Sequence, residues 1–349
     1  MHSFEKTSLW RNSLGLSSND DEADARQMLR EQLLRIRTLV EQLVTTVIRD
    51  LPGMTVHDIS HLDALWETAS LIAGDDYPLN PAEAFVFGAA VLLHDAGMSL
   101  AAYPEGLSAL QRTPQWQDAI SSLLQASTGK PATAEELSNP PDHIIRSAVP
   151  DVLRELHASA AEKLPFVEWS IGKEPAQHLI QDVNFRNAYG SIIGKIAASH
   201  WWHPNELSRL PPRVNAGPGV PAQWFVHPIK LACLLRVADA AHIDHRRAPH
   251  FLRAILQPKG IADNHWNFQS KLGKPSKDKH FIVYTGGPFR VEDVEAWWLC
   301  YDLLSGVDDE LRAAQSVLDA GGLQPFALSA VKGAKSPQAT AELVRSEGW

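Results

Sequence analysis

Apolar residues recur at three- and four-residue steps from Ala23 to Asp50, where Met28, Leu29, Leu33, Leu34, Ile36, Leu39, Val40, Leu43 and Val47 form one stripe. This spacing predicts a long amphipathic helix, stopped by Pro52-Gly53. A second helix is expected from about Ile59 to Ile72. A third carries Pro81 in its first turn and runs through Phe85, Val86, Phe87, Val91 and Leu93 to Gly97. Being apolar on every side, it should lie at the centre of the fold. Helical periodicity returns over Ile144 to Leu164, Gln177 to Phe185, Tyr189 to Ser199, Phe225 to Ala241 and Val291 to Leu318. Between Tyr103 and Pro141, five prolines surround one short amphipathic piece, Trp116 to Leu124, which reads as a partly helical insertion. Trp266 to Gln269 and His280 to Tyr284 alternate imperfectly about a Gly/Lys/Pro turn and predict a two-stranded hairpin. The expected fold class is all-α, with a small C-terminal β-hairpin and helix.

The 349-residue chain is 44% hydrophobic, enough to bury a large core. Lys and Arg number 32 against 41 for Asp and Glu, a net charge of -9 with no basic run to offset it. Binding to long nucleic acid or an anionic membrane is therefore disfavoured, while a local basic pocket for one nucleotide is not. Cys233 and Cys300 lie in apolar helical contexts, which suits reduced thiols and a cytoplasmic location. No signal peptide or membrane span is expected.

Two carboxylates stand in unusually apolar surroundings. Asp239 lies in the run from Ile229 to Ala241, and Asp95 follows His94 at the end of the run from Ala89 to Gly97. Burying ionised carboxylates is costly unless each is paired or bound to a cation, and His94 supplies a nitrogen ligand suited to a transition metal. His61 opens the helix before the buried one, His157 lies within the helix from Ile144, and His200 ends Tyr189 to Ser199. A site assembled from facing helices needs this distribution. Imidazoles with carboxylates suit Mn, Fe, Co, Ni or Zn, and the scarcity of thiolates argues against a structural zinc cage.

The ordered set His61, His94-Asp95, Asp239 resembles the signature of the HD-domain metal-dependent phosphohydrolases. With His157 and His200 added, it resembles their two-metal members. The strings Thr55-Val-His-Asp-Ile-Ser-His61, Leu92-Leu-His-Asp-Ala-Gly-Met98 and Leu235-Arg-Val-Ala-Asp239 are similar to the HD-CE branch, which commonly precedes a GHKL-type, chaperone-like ATPase module. The resemblance implies a helical HD-type core over 51–255, with the insertion at about 103–141. An N-terminal helical segment over 1–50 would precede it. The hairpin and helix over 256–326 would pack on it, and 327–349 would form a linker toward that ATPase. It further implies one or two divalent ions (Mn, Fe, Co, Ni, Zn or Mg). His61, His94, Asp95 and Asp239 would hold the first, and Asp95 would bridge to a second through His157 and His200. Asp95 and His157 would then be catalytic. Lys163 is a candidate for both catalysis and substrate contact, and His57, His203, Arg246 and Arg247 are candidates for substrate contact.

Each residue also has a plainer reading. His94, Asp95 and Asp239 fit a buried ion pair, His157 and His200 fit hydrogen-bonded histidines, and Lys163 fits a solvated helix residue. His57 and Asp58 fit a helix cap. Trp201-Trp202 and Trp297-Trp298 could stack on a base, but core packing is the expectation. The functional expectation is hydrolysis of a phosphoester or phosphoanhydride of a nucleotide by metal-activated water. The alternative is a nucleotide-sensing module that controls the ATPase. Substrate identity and homo-oligomerisation stay open.

Overall fold

The computed structural model describes residues 2–16 and 20–347. With 63% of the structure helical and five short strands, the observed fold is the mostly-α one expected. At its centre is the helix Pro81–Leu93, every residue of which is buried. Its start is fixed locally. Asn80 accepts the Glu83 N–H at 3.0 Å, the Glu83 carboxylate accepts the Asn80 N–H at 3.2 Å, and Pro81 needs no amide partner. Helices Ala23–Val44, Ile59–Ala73, Val183–Ser199 and Pro228–Ala241 pack around it. Gly88 lets two of them approach, since a Cβ there would stand 2.7 Å from both Leu33 and Trp66.

Glu83 also anchors a neighbouring helix. Its carboxylate accepts from Lys230 Nζ at 2.6 Å and from the His227 N–H at 3.2 Å, tying Pro228–Ala241 to the central helix. Burial pushes the Lys230 ammonium down, and Glu83 opposes that shift.

Several pattern-based boundaries are revised. The stripe from Ala23 to Asp50 is split into Ala23–Val44 and Val47–Asp50. The hydroxyls of Thr45 and Thr46 bond back to the carbonyls of Glu41 (2.6 Å) and Leu43 (3.3 Å), a competition that interrupts helices. The insertion is more helical than its prolines suggest. Thr113 caps Pro114–Thr128, which buries Trp116, Ile120 and Leu124 and packs on Asp142–Lys163. Gln177 belongs to an antiparallel bridge with Trp169, and the helix begins at Val183, after Asp182 accepts the N–H groups of Asn184 and Phe185.

Of the two strands expected for the hairpin, only the one within His280 to Tyr284 forms. Trp266 to Gln269 lies in a helix, Ile261–Lys271, entered through Gly260 at φ +59° and packed on Val294–Ala320. The strands that form are β1 (Ser276–Asp278), β2 (Phe281–Val283), β3 (Gly286–Phe289), β4 (Ala330–Val331) and β5 (Val344–Ser346). β1 and β2 make the antiparallel hairpin, β4 joins β2 in parallel, and β3 pairs with β5 in parallel.

The stretch after Phe326, read from the sequence as a linker, is folded onto this body. The Ala327 and Leu328 N–H groups donate to Ala73 O and Ile72 O at 3.2 and 3.0 Å, and Ser336 caps the helix Pro337–Leu343. Gly348 and Trp349, the end of that expected linker, lie outside the described residues.

Asp308, fully buried, accepts the Val331 N–H at 2.7 Å and pairs with Arg312 at 2.7 Å and Lys335 at 3.0 Å. Burial raises its carboxyl, but Arg312, the Val331 N–H and Lys335 outweigh it and hold the pKa below the ordinary value. A carboxyl lowered in the folded state contributes stability above its unfolded pKa, about 3.9, and loses it as pH falls through the folded value. Asp308→Asn is therefore expected to cost about 1–3 kcal/mol at neutral pH, with the deficit narrowing below about pH 4. Urea midpoints of both proteins across pH check this. A deficit that does not change with pH would reject the assignment.

Among the described residues no helix is long and apolar enough to cross a membrane, and both cysteines are buried and free.

Candidate metal centre

Five helices deliver the donors. His61 sits in the first turn of Ile59–Ala73, whose cap Asp58 accepts the Ser60 N–H at 2.8 Å. His94 closes the central helix, with Asp95 next to it, and His200 closes Val183–Ser199. His157 lies inside Asp142–Lys163, and Asp239 near the end of Pro228–Ala241. The His157 helix comes so near the Asp95 turn that a Cβ on Gly97 would stand 2.4 Å from the His157 carbonyl oxygen. Only glycine fits there.

The two oxygens of Asp95 face different histidine pairs. Oδ2 is 3.6 Å from His61 Nε2 and 3.2 Å from His94 Nε2, whereas Oδ1 is 4.0 Å from His157 Nε2 and 3.8 Å from His200 Nε2. Asp239 Oδ1 closes the first group, 3.4 Å from His61 Nε2 and 3.5 Å from His94 Nε2. Ligand atoms on one ion at bonds of about 2.1 Å lie about 3.0–3.4 Å apart, so the first group has nearly the right spacing.

The imidazoles are oriented to match. His94, His157 and His200 each turn Nδ1 to the carbonyl three residues earlier: Val91 at 2.8 Å, Arg154 at 2.5 Å and Ala197 at 2.6 Å. A carbonyl only accepts, so Nδ1 carries the proton and Nε2 presents a lone pair; those of His157 and His200 face each other at 2.9 Å, a repulsion that a cation between them would relieve. His94 Nε2 is buried without a hydrogen-bond partner. The donors fit a metal ion, and two groups could hold one each: His61, His94, Asp95 and Asp239, and Asp95, His157 and His200.

The protein alone stresses these groups in opposite directions. Burial opposes charge on His94, yet Asp95 and Asp239 outweigh it and hold its pKa well above the ordinary value. Burial likewise opposes charge on Asp95 and Asp239, and His94 overcomes it, holding both well below. Burial, reinforced by the charge of His94, pushes His200 down to about 4. A bound cation would replace the proton that His94 otherwise keeps as the counter-charge.

A model of the HD-CE family matches residues 51–313. The chain belongs to the HD-CE family. The match contains all six of these donors. No curated protein and no solved structure matches the chain. The HD-CE assignment makes this an HD-type domain, and its buried His/Asp cluster is where such a domain would take a metal.

The remaining candidates divide. Arg247 is buried beside the cluster, with Nη1 2.9 Å from His61 Nδ1 and Nη2 2.6 Å from His57 Nε2. Burial, then the charge of Arg247, pushes His57 down to about 3. Arg246 is half-buried, paired with Asp244 at 2.6 Å and with Glu67. Lys163 is exposed with no hydrogen bond or ion pair to the cluster, and lies six residues from His157, about 120° around the helix. The structure does not bring it to the donors. His203 is exposed and accepts the Asn205 N–H at 3.4 Å as a helix cap.

Sequence reasoning missed His242, whose ring stacks on His61 at 5.0 Å with Nδ1 2.8 Å from His61 Nδ1. It also placed Trp201 in the core. Trp297 is buried, but Trp201 is 61% exposed, with its ring 4.9 Å from that of His157.

Proposed function

We propose that the protein is a metal-dependent phosphohydrolase acting on a nucleotide or nucleotide-derived phosphoester or phosphoanhydride. The observation that carries this reading is Asp95, one carboxylate with an oxygen toward each of two histidine pairs. A divalent ion held there would supply Lewis acidity for activating water and neutralising phosphate oxygens.

The chain's own residues supply the rest. Asp95 and Asp239 carry two negative charges, which offset one divalent ion, and the four histidines add none when neutral. Arg247 then leaves the site with a net positive charge, suited to an anionic substrate. Of the first group, His61, His94 and Asp95 are closed to solvent, whereas the Asp239 side chain is 26% exposed. Substrate and water therefore approach over Asp239, while Asp95 fixes the position of attack from below.

The test combines elemental analysis of the purified protein with a nucleotide-panel hydrolysis screen in manganese. Metal bound in stoichiometric amount and turnover abolished in His94→Ala are expected. Free metal at about a thousand times its Kd should also raise the melting temperature, because it stabilises the folded state by about 4 kcal/mol. Protein that takes up no metal, or His94→Ala with undiminished turnover, would falsify the reading.

A further inference from the structure

We propose that Trp201 is a stacking platform for the substrate, so that the phosphoester taken by this centre carries a planar aromatic base. The inference rests on the phosphohydrolase reading above and adds the residue that holds the base of its nucleotide.

Trp201 directly follows His200, and its backbone N–H donates to Ala198 O at 3.2 Å, which holds the residue in the turn that ends the helix. Its ring meets that of His157 at 4.9 Å and 81°, and that of His200 at 6.4 Å and 60°. Both imidazoles are almost fully buried, yet the indole between them and solvent is 61% exposed. Trp10, Trp266 and Trp297 hide the same apolar surface in the core. A near-perpendicular contact engages little of the indole, so ring surface stays free for offset stacking by another planar group. The indole is thereby adjacent to two donors of the second group.

Trp298, also exposed, makes a useful contrast. Its ring neighbours are Trp297 and Tyr301, neither of which belongs to the donor cluster. Stacking tolerates any base because every base offers a π-face, and purines give more overlap than pyrimidines. The expected preference is therefore purine over pyrimidine, and either over a sugar phosphate with no base.

Calorimetric titration of the manganese-loaded protein with adenosine monophosphate, cytidine monophosphate and ribose 5-phosphate tests this, using wild type, Trp201→Ala and Trp201→Phe. Phosphate release is followed separately. Trp201→Ala is expected to weaken adenosine monophosphate binding by about tenfold or more and to collapse its advantage over ribose 5-phosphate. Trp201→Phe should restore most of that advantage, and manganese content should be the same in all three proteins. The proposal is overturned by any of three results: ribose 5-phosphate binding wild type as tightly as adenosine monophosphate, no binding of any of the three, or an equal loss of nucleotide and sugar phosphate in Trp201→Ala. The nucleotide-panel hydrolysis screen described above tests the phosphohydrolase reading separately, because the binding ratio here is measured without turnover.

Discussion

Asp95→Ala is expected to empty both halves of the metal centre and to lower turnover by about a thousandfold or more, equivalent to about 4 kcal/mol of lost transition-state stabilisation. The reason is geometric. Every other donor serves one group, whereas Asp95 offers Oδ2 to His61 and His94 and Oδ1 to His157 and His200. Its loss also removes half of the negative charge that offsets a divalent ion, and leaves Arg247 buried beside only one cluster carboxylate. His157→Ala makes the informative comparison, since it touches the second group alone and should retain close to one ion per chain if two bind. Elemental analysis of both variants, with circular dichroism to confirm folding, separates the cases. Equal metal content in Asp95→Ala and His157→Ala would sink the bridging role.

The second large effect lies away from the chemistry. Glu83→Ala should destabilise the protein by about 3–5 kcal/mol, because it strands a buried ammonium. Lys230 is buried and would keep only the Pro78 carbonyl at 2.9 Å, while the central helix would lose its capping box and the His227 N–H its acceptor. The double variant Glu83→Ala/Lys230→Met removes the stranded charge and is expected to recover much of the loss. Urea denaturation of the single and double variants gives the answer. A double variant no more stable than Glu83→Ala would show that the cost lies in the cap and the packing instead of the charge.

Much of this architecture was legible in the chain. The central helix announces itself through unbroken apolar character after an Asn-Pro start, His94-Asp95 and Asp239 stand out because they interrupt apolar helical runs, and His61, His157 and His200 are legible as histidines on separate helices. The resemblance to HD-CE proteins rested on those same positions, and the family match bears it out. What failed had local causes. Trp266 to Gln269 alternates over too few residues to separate a strand from a helix, and its packing on Val294–Ala320 decided the matter. His242 carries no signal, because it meets His61 across 181 positions of sequence. Trp201 was assigned to the core on residue type, although the helix ends at His200 and the chain turns the next side chain outward. Lys163, expected only roughly on the face of His157, is exposed about 120° around the helix from it.

The tail's attachment gives the centre a mechanical connection. The helix Ile59–Ala73 spans about 22 Å, holding His61 at one end and receiving the Ala327 and Leu328 amides on the carbonyls of Ala73 and Ile72 at the other. The tail and a metal donor thus share one helix, with main-chain hydrogen bonds at one end, the His61 imidazole at the other and no loop between them.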